Sequence, residues 1–122
     1  MSAFGRKGTF PTSAAEVEDI ASPYGTDKKN FVASFSNVGP EIDLTGPGVG
    51  IISTVPNGHT EISGTSMACP AVTGAAARAL AGSAVLKKKR DRARSDAMVK
   101  AILATAKPLG FGVTFEGHGL PK

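Results

Sequence analysis

Apolar and small residues fall into blocks with two different periods along this chain. From Thr65 to Ala81 the sequence reads TSMACPAVTGAAARALA, with seven alanines and one charge, Arg78. Such a run predicts a helix buried on most sides. A second helix is expected over about Asp91 to Ala106, where Met98, Ile102 and Ala106 stack at i, i+4 beside Val99 and Leu103 and Pro108 ends the run. The earlier chain is strand-like. Phe31–Phe35 reads as a strand, Glu41–Thr45 alternates with Ile42 and Leu44 on one face, and Val49–Val55 is a β-branched run expected to be a buried strand. Gly46-Pro47-Gly48 reads as a break between them. Residues 1 to 15 read as loop, a short strand is expected around Ile20, and the tail after Leu109 suggests a strand at Val113–Phe115.

At 122 residues the chain is one domain or a piece of one. It is 41% hydrophobic, contains no apolar run long enough to span a membrane, and has no secretory-type apolar core in residues 1 to 20. Cys69 is the only cysteine, so no intrachain disulfide can form. The net charge of +4 is concentrated in Lys87–Arg94, where six basic residues and one acid give +5 and leave −1 for the rest. A run of this kind touches nucleic acid in some proteins, but here no aromatics interleave with the charges. A solvated connection between the two helices is the favoured reading. No metal or cofactor is expected, because the carboxylates are scattered and no Cys/His set has ligand spacing.

The chemistry centres on Gly64-Thr65-Ser66-Met67-Ala68-Cys69-Pro70. A serine where a tight loop enters a helix has two readings. It is a cap for free backbone N–H groups, or it is a nucleophile whose oxyanion those groups and the helix dipole stabilise. Pro70 has no N–H to give the Ser66 carbonyl, so the first turn is expected to be loosened.

The surroundings favour the nucleophile. Four ordered blocks resemble the C-terminal part of the catalytic domain of subtilisin-like serine proteases, the subtilases. Phe35-Ser36-Asn37 with Gly39 resembles the family's F-S-N/S-x-G turn, and Asp43–Gly48 its D-x-x-A-P-G loop, with Gly46 in the alanine position. Ile51–Thr54 resembles its I-x-S-T strand, and Gly64–Gly74 its G-T-S-M-A-x-P-x-V-x-G nucleophile segment. A weaker likeness continues through Val99–Leu103 to Gly117-His118-Gly119-Leu120, so that about three-quarters of the chain is covered.

The resemblance implies an α/β fold: the C-terminal half of a subtilisin-like domain, with mainly parallel strands packed on a buried Ser-bearing helix and a second amphipathic helix. Residues 1–122 would form a partial catalytic domain lacking the Asp- and His-bearing half. Ser66 would be the nucleophile for peptide-bond hydrolysis and its backbone N–H an oxyanion donor. Gly64 and Thr65 would shape the approach, Pro70 and Gly74 the helix packing, and Met67 belongs to the supporting motif. The family's asparagine oxyanion donor aligns with Arg6, in Ala3-Phe4-Gly5-Arg6. Asp43 matches a structural position expected to hold its loop by local hydrogen bonds, and Cys69 one expected to be buried and inert.

His59 and His118 are the only histidines, and both fall in turns at positions that carry no catalytic role in the family. The isolated chain is therefore expected to be inactive, with a peptide or protein substrate bound only when the missing half is supplied. The rival reading is a non-catalytic pseudoprotease or association module, since half a sheet leaves an unpaired edge and uncovered apolar faces. The compartment is undetermined.

Overall fold

The computed structural model describes residues 1–9 and 26–122. Its centre is β1 (Ser2–Arg6), flanked by β2 (Asn30–Val32) on one side and β3 (Thr45–Pro47) on the other. β1 runs antiparallel to β2, with Phe4 opposite Val32, and parallel to β3, with Ala3 opposite Gly46. A hairpin follows, β4 (Ile51–Val55) with β5 (Gly58–Ile62), then α1 (Thr65–Leu80), a 3-10 turn at Ala84–Lys87, α2 (Arg92–Leu103) and a single-turn α3 (Val113–Glu116).

Strand pleating sorts the core into two clusters, because successive side chains point to opposite faces. On one face Ala3 and Phe31 pack with Ala33, Val49 and Ala68 of α1. On the other, Phe4 and Val32 pack with Phe111, and Leu109, Phe115 and Leu120 cover them. The sheet is thus a middle layer between α1 and the C-terminal segment. That segment is pinned by His118 N–H to the Asp43 carbonyl at 2.8 Å and by Thr45 N–H to the Gly119 carbonyl at 3.0 Å.

Several sequence expectations are corrected. Residues 2–6 form the central strand instead of loop: Ser2, Ala3 and Gly5 are small, none of the five is β-branched, and their partners lie far along the chain. Gly46-Pro47-Gly48 does not break the chain, because Gly46 and Pro47 lie in β3. A Cβ on Gly46 would come within 2.7 Å of Val72 Cγ2, and one on Gly48 within 2.7 Å of the Gly64 carbonyl. The glycines serve close approach between strand and helix. The Phe31 strand stops at Val32, with a turn closed by Ser36 N–H to the Ala33 carbonyl. Ile42 and Leu44 are buried but lie outside any strand. Strand β4 is not buried: Ile52 is 62% exposed. Val113–Phe115 is helical. The strand expected around Ile20 lies outside the described residues.

Among the described residues the strands are not mainly parallel, since only the β1–β3 pairing is parallel and two pairings are antiparallel. Helix α1 keeps its expected span but is not buried on most sides. Ala68, Val72 and Leu80 form its one buried line, facing β1 and β3, while Cys69, Ala71, Thr73, Gly74 and Ala77 face solvent. Helix α2 starts where expected, capped by the Asp91 carboxylate on Arg94 N–H at 3.0 Å, and none of its residues is fully buried.

Candidate active site

The backbone delivers Ser66 by a short relay. Gly48 N–H donates to the Phe4 carbonyl at 2.9 Å, and Gly64 N–H donates to the Gly48 carbonyl at 2.8 Å. Gly50 N–H closes the hairpin base on Ser63 Oγ at 2.9 Å. The β4–β5 excursion therefore returns the chain to the end of β3, and α1 starts there.

Gly64 is the N-cap, in extended backbone and with no side-chain cap, which leaves Ser66 second in the helix. The capping reading of Ser66 is thereby excluded. Ser66 is exposed, and neither its hydroxyl nor its backbone N–H is hydrogen-bonded among the described residues. The first turn of α1 holds no acidic residue, so the positive end of the helix dipole is not offset locally. The helix runs on through Pro70 without interruption. Thr65 and Met67 are half-buried beside Ser66, and Met67 N–H returns to the Gly64 carbonyl at 3.0 Å. A Cβ on Gly74 would meet nothing within 4 Å, so the close packing expected of it is not present among the described residues.

Arg6 stands at the far end of β1 and is already engaged. Its Nη1 pairs with Asp27 Oδ2 and donates to Asn30 Oδ1 at 2.9 Å. Asp27 also accepts from Lys29 N–H at 3.0 Å. That backbone bond first, and the Arg6 guanidinium second, hold its carboxyl below the ordinary value of 3.8. Asp27 was not legible as a partner, since 21 residues separate it from Arg6 and no local pattern marks the pair.

The structure does not bring an imidazole to Ser66 through the hairpin. His59 is exposed and sits opposite Thr54, three residues up β5 from its base at Ile62. No hydrogen bond joins His59 to Ser66. His118 lines a cavity of about 490 Å³ with Asp96, Val99, Lys100, Leu103 and Ala104, against α2. Asp43 holds its loop through its carbonyl to distant His118 and not by local bonds. Cys69 is exposed, contrary to the buried position expected. Among the described residues no group of three or more His, Cys, Asp or Glu side chains could hold a metal ion.

The strand–hairpin–helix path thus ends in a glycine-capped helix that presents an unengaged serine. The chain belongs to the subtilase family, whose model matches residues 12–119. It is 38% identical over 113 residues to alkaline elastase YaB of Bacillus sp. (strain YaB), a match covering 91% of this chain and 27% of that protein. It is 40% identical over 81 residues to subtilisin DY of Bacillus licheniformis, covering 66% of this chain and 30% of that protein. To the cuticle-degrading serine protease of Arthrobotrys oligospora it is 45% identical over 74 residues, covering 58% of this chain and 17% of the relative. The chain thus spans less than a third of the length of these relatives.

Proposed function

We propose that this chain is the nucleophile-bearing segment of a subtilisin-like endopeptidase and is inactive by itself. Ser66 Oγ would attack the scissile carbonyl of a peptide, and the Ser66 N–H would receive the developing oxyanion. The observation that carries this reading is the pair of unengaged groups on Ser66, hydroxyl and amide, at the uncompensated N-terminus of α1. A serine hydroxyl needs a base to accept its proton and a third group to orient that base. Neither His59 nor His118 is hydrogen-bonded to Ser66, which supports a missing base. The Asp- and His-bearing portion of a complete domain would supply both.

Arg6 is not proposed as an oxyanion donor. Its guanidinium is held by Asp27 and Asn30, and redirecting it would strand the Asp27 carboxylate. Loss of one side-chain oxyanion donor typically lowers turnover by about 100- to 1,000-fold. A completed domain would accordingly be a slow enzyme.

The test is labelling with a serine-directed fluorophosphonate, followed by mass spectrometry. The chain alone should remain unlabelled and should not cleave casein. Mixed with the Asp- and His-bearing segment of a relative, and shown by gel filtration to assemble, it should label at Ser66 and not in S66A. An assembled complex that stays unlabelled overturns the proposal, and robust turnover by the chain alone overturns its inactivity.

A non-catalytic association module is the second reading. The exposed side chains of Ile52 and Ile62 on the hairpin favour it, together with the open sides of α1.

A further inference from the structure

Basic residues cluster at three places in this chain: Arg6-Lys7, Lys28-Lys29 and Lys87–Arg94. The first two are tied into the sheet and to each other. Arg6 is paired opposite Asn30, Lys7 N–H donates to the Lys29 carbonyl at 2.8 Å, and Arg6 is bound to Asp27. The third differs in every respect. Lys87, Lys88, Lys89 and Arg90 are exposed, and no carboxylate among the described residues lies within ion-pair distance of them. The backbone N–H and carbonyl of Lys89 and of Arg90 make no hydrogen bond among the described residues. Lys88 (φ −70, ψ 159) and Asp91 (φ −144, ψ −179), at the two ends of this stretch, are both extended.

Endopeptidases bind their substrates as extended strands. Lys87 closes the 3-10 turn, and Lys88 is held only by its N–H on the Val85 carbonyl and by Arg94 Nη1 on its own carbonyl, both at 3.3 Å, so opening two long bonds and one turn residue brings the stretch to a cleft with little local unfolding. Four successive cations, Lys87-Lys88-Lys89-Arg90, complement a cleft lined with carboxylates. We propose that Lys87–Arg90 is a recognition site for an endopeptidase specific for clustered basic residues, which hydrolyses the Arg90–Asp91 bond and leaves the two products associated. Water supplies the hydroxyl of the new Arg90 carboxylate and a proton to the new Asp91 amine, and the amide bond breaks. The Arg92–Ala93 bond, also preceded by cations, lies inside α2 and is protected by the helix.

The products remain together because the contacts of residues 91–122 are tertiary. Phe111 is 3% exposed in the cluster with Phe4 and Val32. The Leu109 and Thr114 carbonyls accept from Thr26 and Gly39 at 2.8 Å each, and His118 and Gly119 bond to Asp43 and Thr45. The cut divides the Ser66-bearing piece from the piece covering the opposite face of the sheet without parting them. This proposal does not rest on a catalytic role for Ser66.

Two probes test it on the full chain. Trypsin at limiting ratio should cut within Lys87–Arg94 first, about tenfold or more faster than at Arg6, Lys7, Lys28 or Lys29. An endopeptidase requiring basic residues at the first and fourth positions before the cut should yield 1–90 and 91–122 by intact mass, eluting together on gel filtration. The K87A/R90Q variant should resist the second enzyme while its thermal melt is unchanged. A first tryptic cut at Lys28 or Arg6 overturns the site, as does undiminished cleavage of the variant. Separation of the two products in native buffer overturns their association.

Discussion

The amide of Gly64 donates to the carbonyl of Gly48 at 2.8 Å, and this one bond fixes where the serine-bearing helix begins. It can form because Gly48 has no Cβ. A methyl group there would stand 2.7 Å from both the Gly64 carbonyl and Ala3 Cβ.

G48A should therefore destabilise the chain by about 1–3 kcal/mol through overpacking against backbone. G74A, in α1, is the matched control: nothing lies within 4 Å of the added methyl, so it should stabilise by about 0.5–1 kcal/mol through helix propensity. Urea denaturation of both variants checks the opposite signs.

S66A should leave stability within about 0.5 kcal/mol of the parent, because Ser66 is exposed and caps nothing. D91A removes a true cap, the carboxylate on Arg94 N–H, and should cost about 1 kcal/mol. Equal losses in thermal melts would mean that the Ser66 hydroxyl has a structural bond.

Glu116 is 3% exposed, and its carboxylate accepts the backbone N–H groups of Leu109 and Gly110, with Gly112 N–H at 3.2 Å. E116A would leave these donors without their partner and should cost about 2–4 kcal/mol, with E116Q intermediate. Hydrogen exchange should show the loop from Leu109 to Gly112 opening before the sheet.

The Arg6–Asp27 pair gives a pH dependence of definite sign. The folded-state carboxyl of Asp27 titrates below its ordinary value of 3.8. Its contribution is therefore present above pH 3.8 and is lost as pH falls through the lower folded value. The melting temperatures of the parent and D27N should differ at pH 6 and converge in the acid limb. Curves that stay parallel down to the lowest pH would remove the pair from the stability of the chain.

If the hairpin face is an association surface, I52T/I62T should lower self-association by gel filtration at fixed concentration without lowering the melting temperature. Both residues are exposed, at 62% and 45%, so their replacement opens no cavity.

The local pattern alone determined α1 to within a residue, the start of α2 and the family. Each rests on neighbours in sequence: alanine content, apolar spacing, a contiguous motif. The tertiary structure decided what depends on distant partners. Residues 2–6 became the central strand because Asn30–Val32 and Thr45–Pro47 close on them. Val113–Phe115 turned helical where Glu116 gathers the preceding amides. Arg6 was claimed by Asp27, 21 residues away. Burial was the least legible property, because a side chain's hydrophobicity states only its preference for cover. Whether α1 and β4 find that cover depends on which surfaces the rest of the domain brings to them.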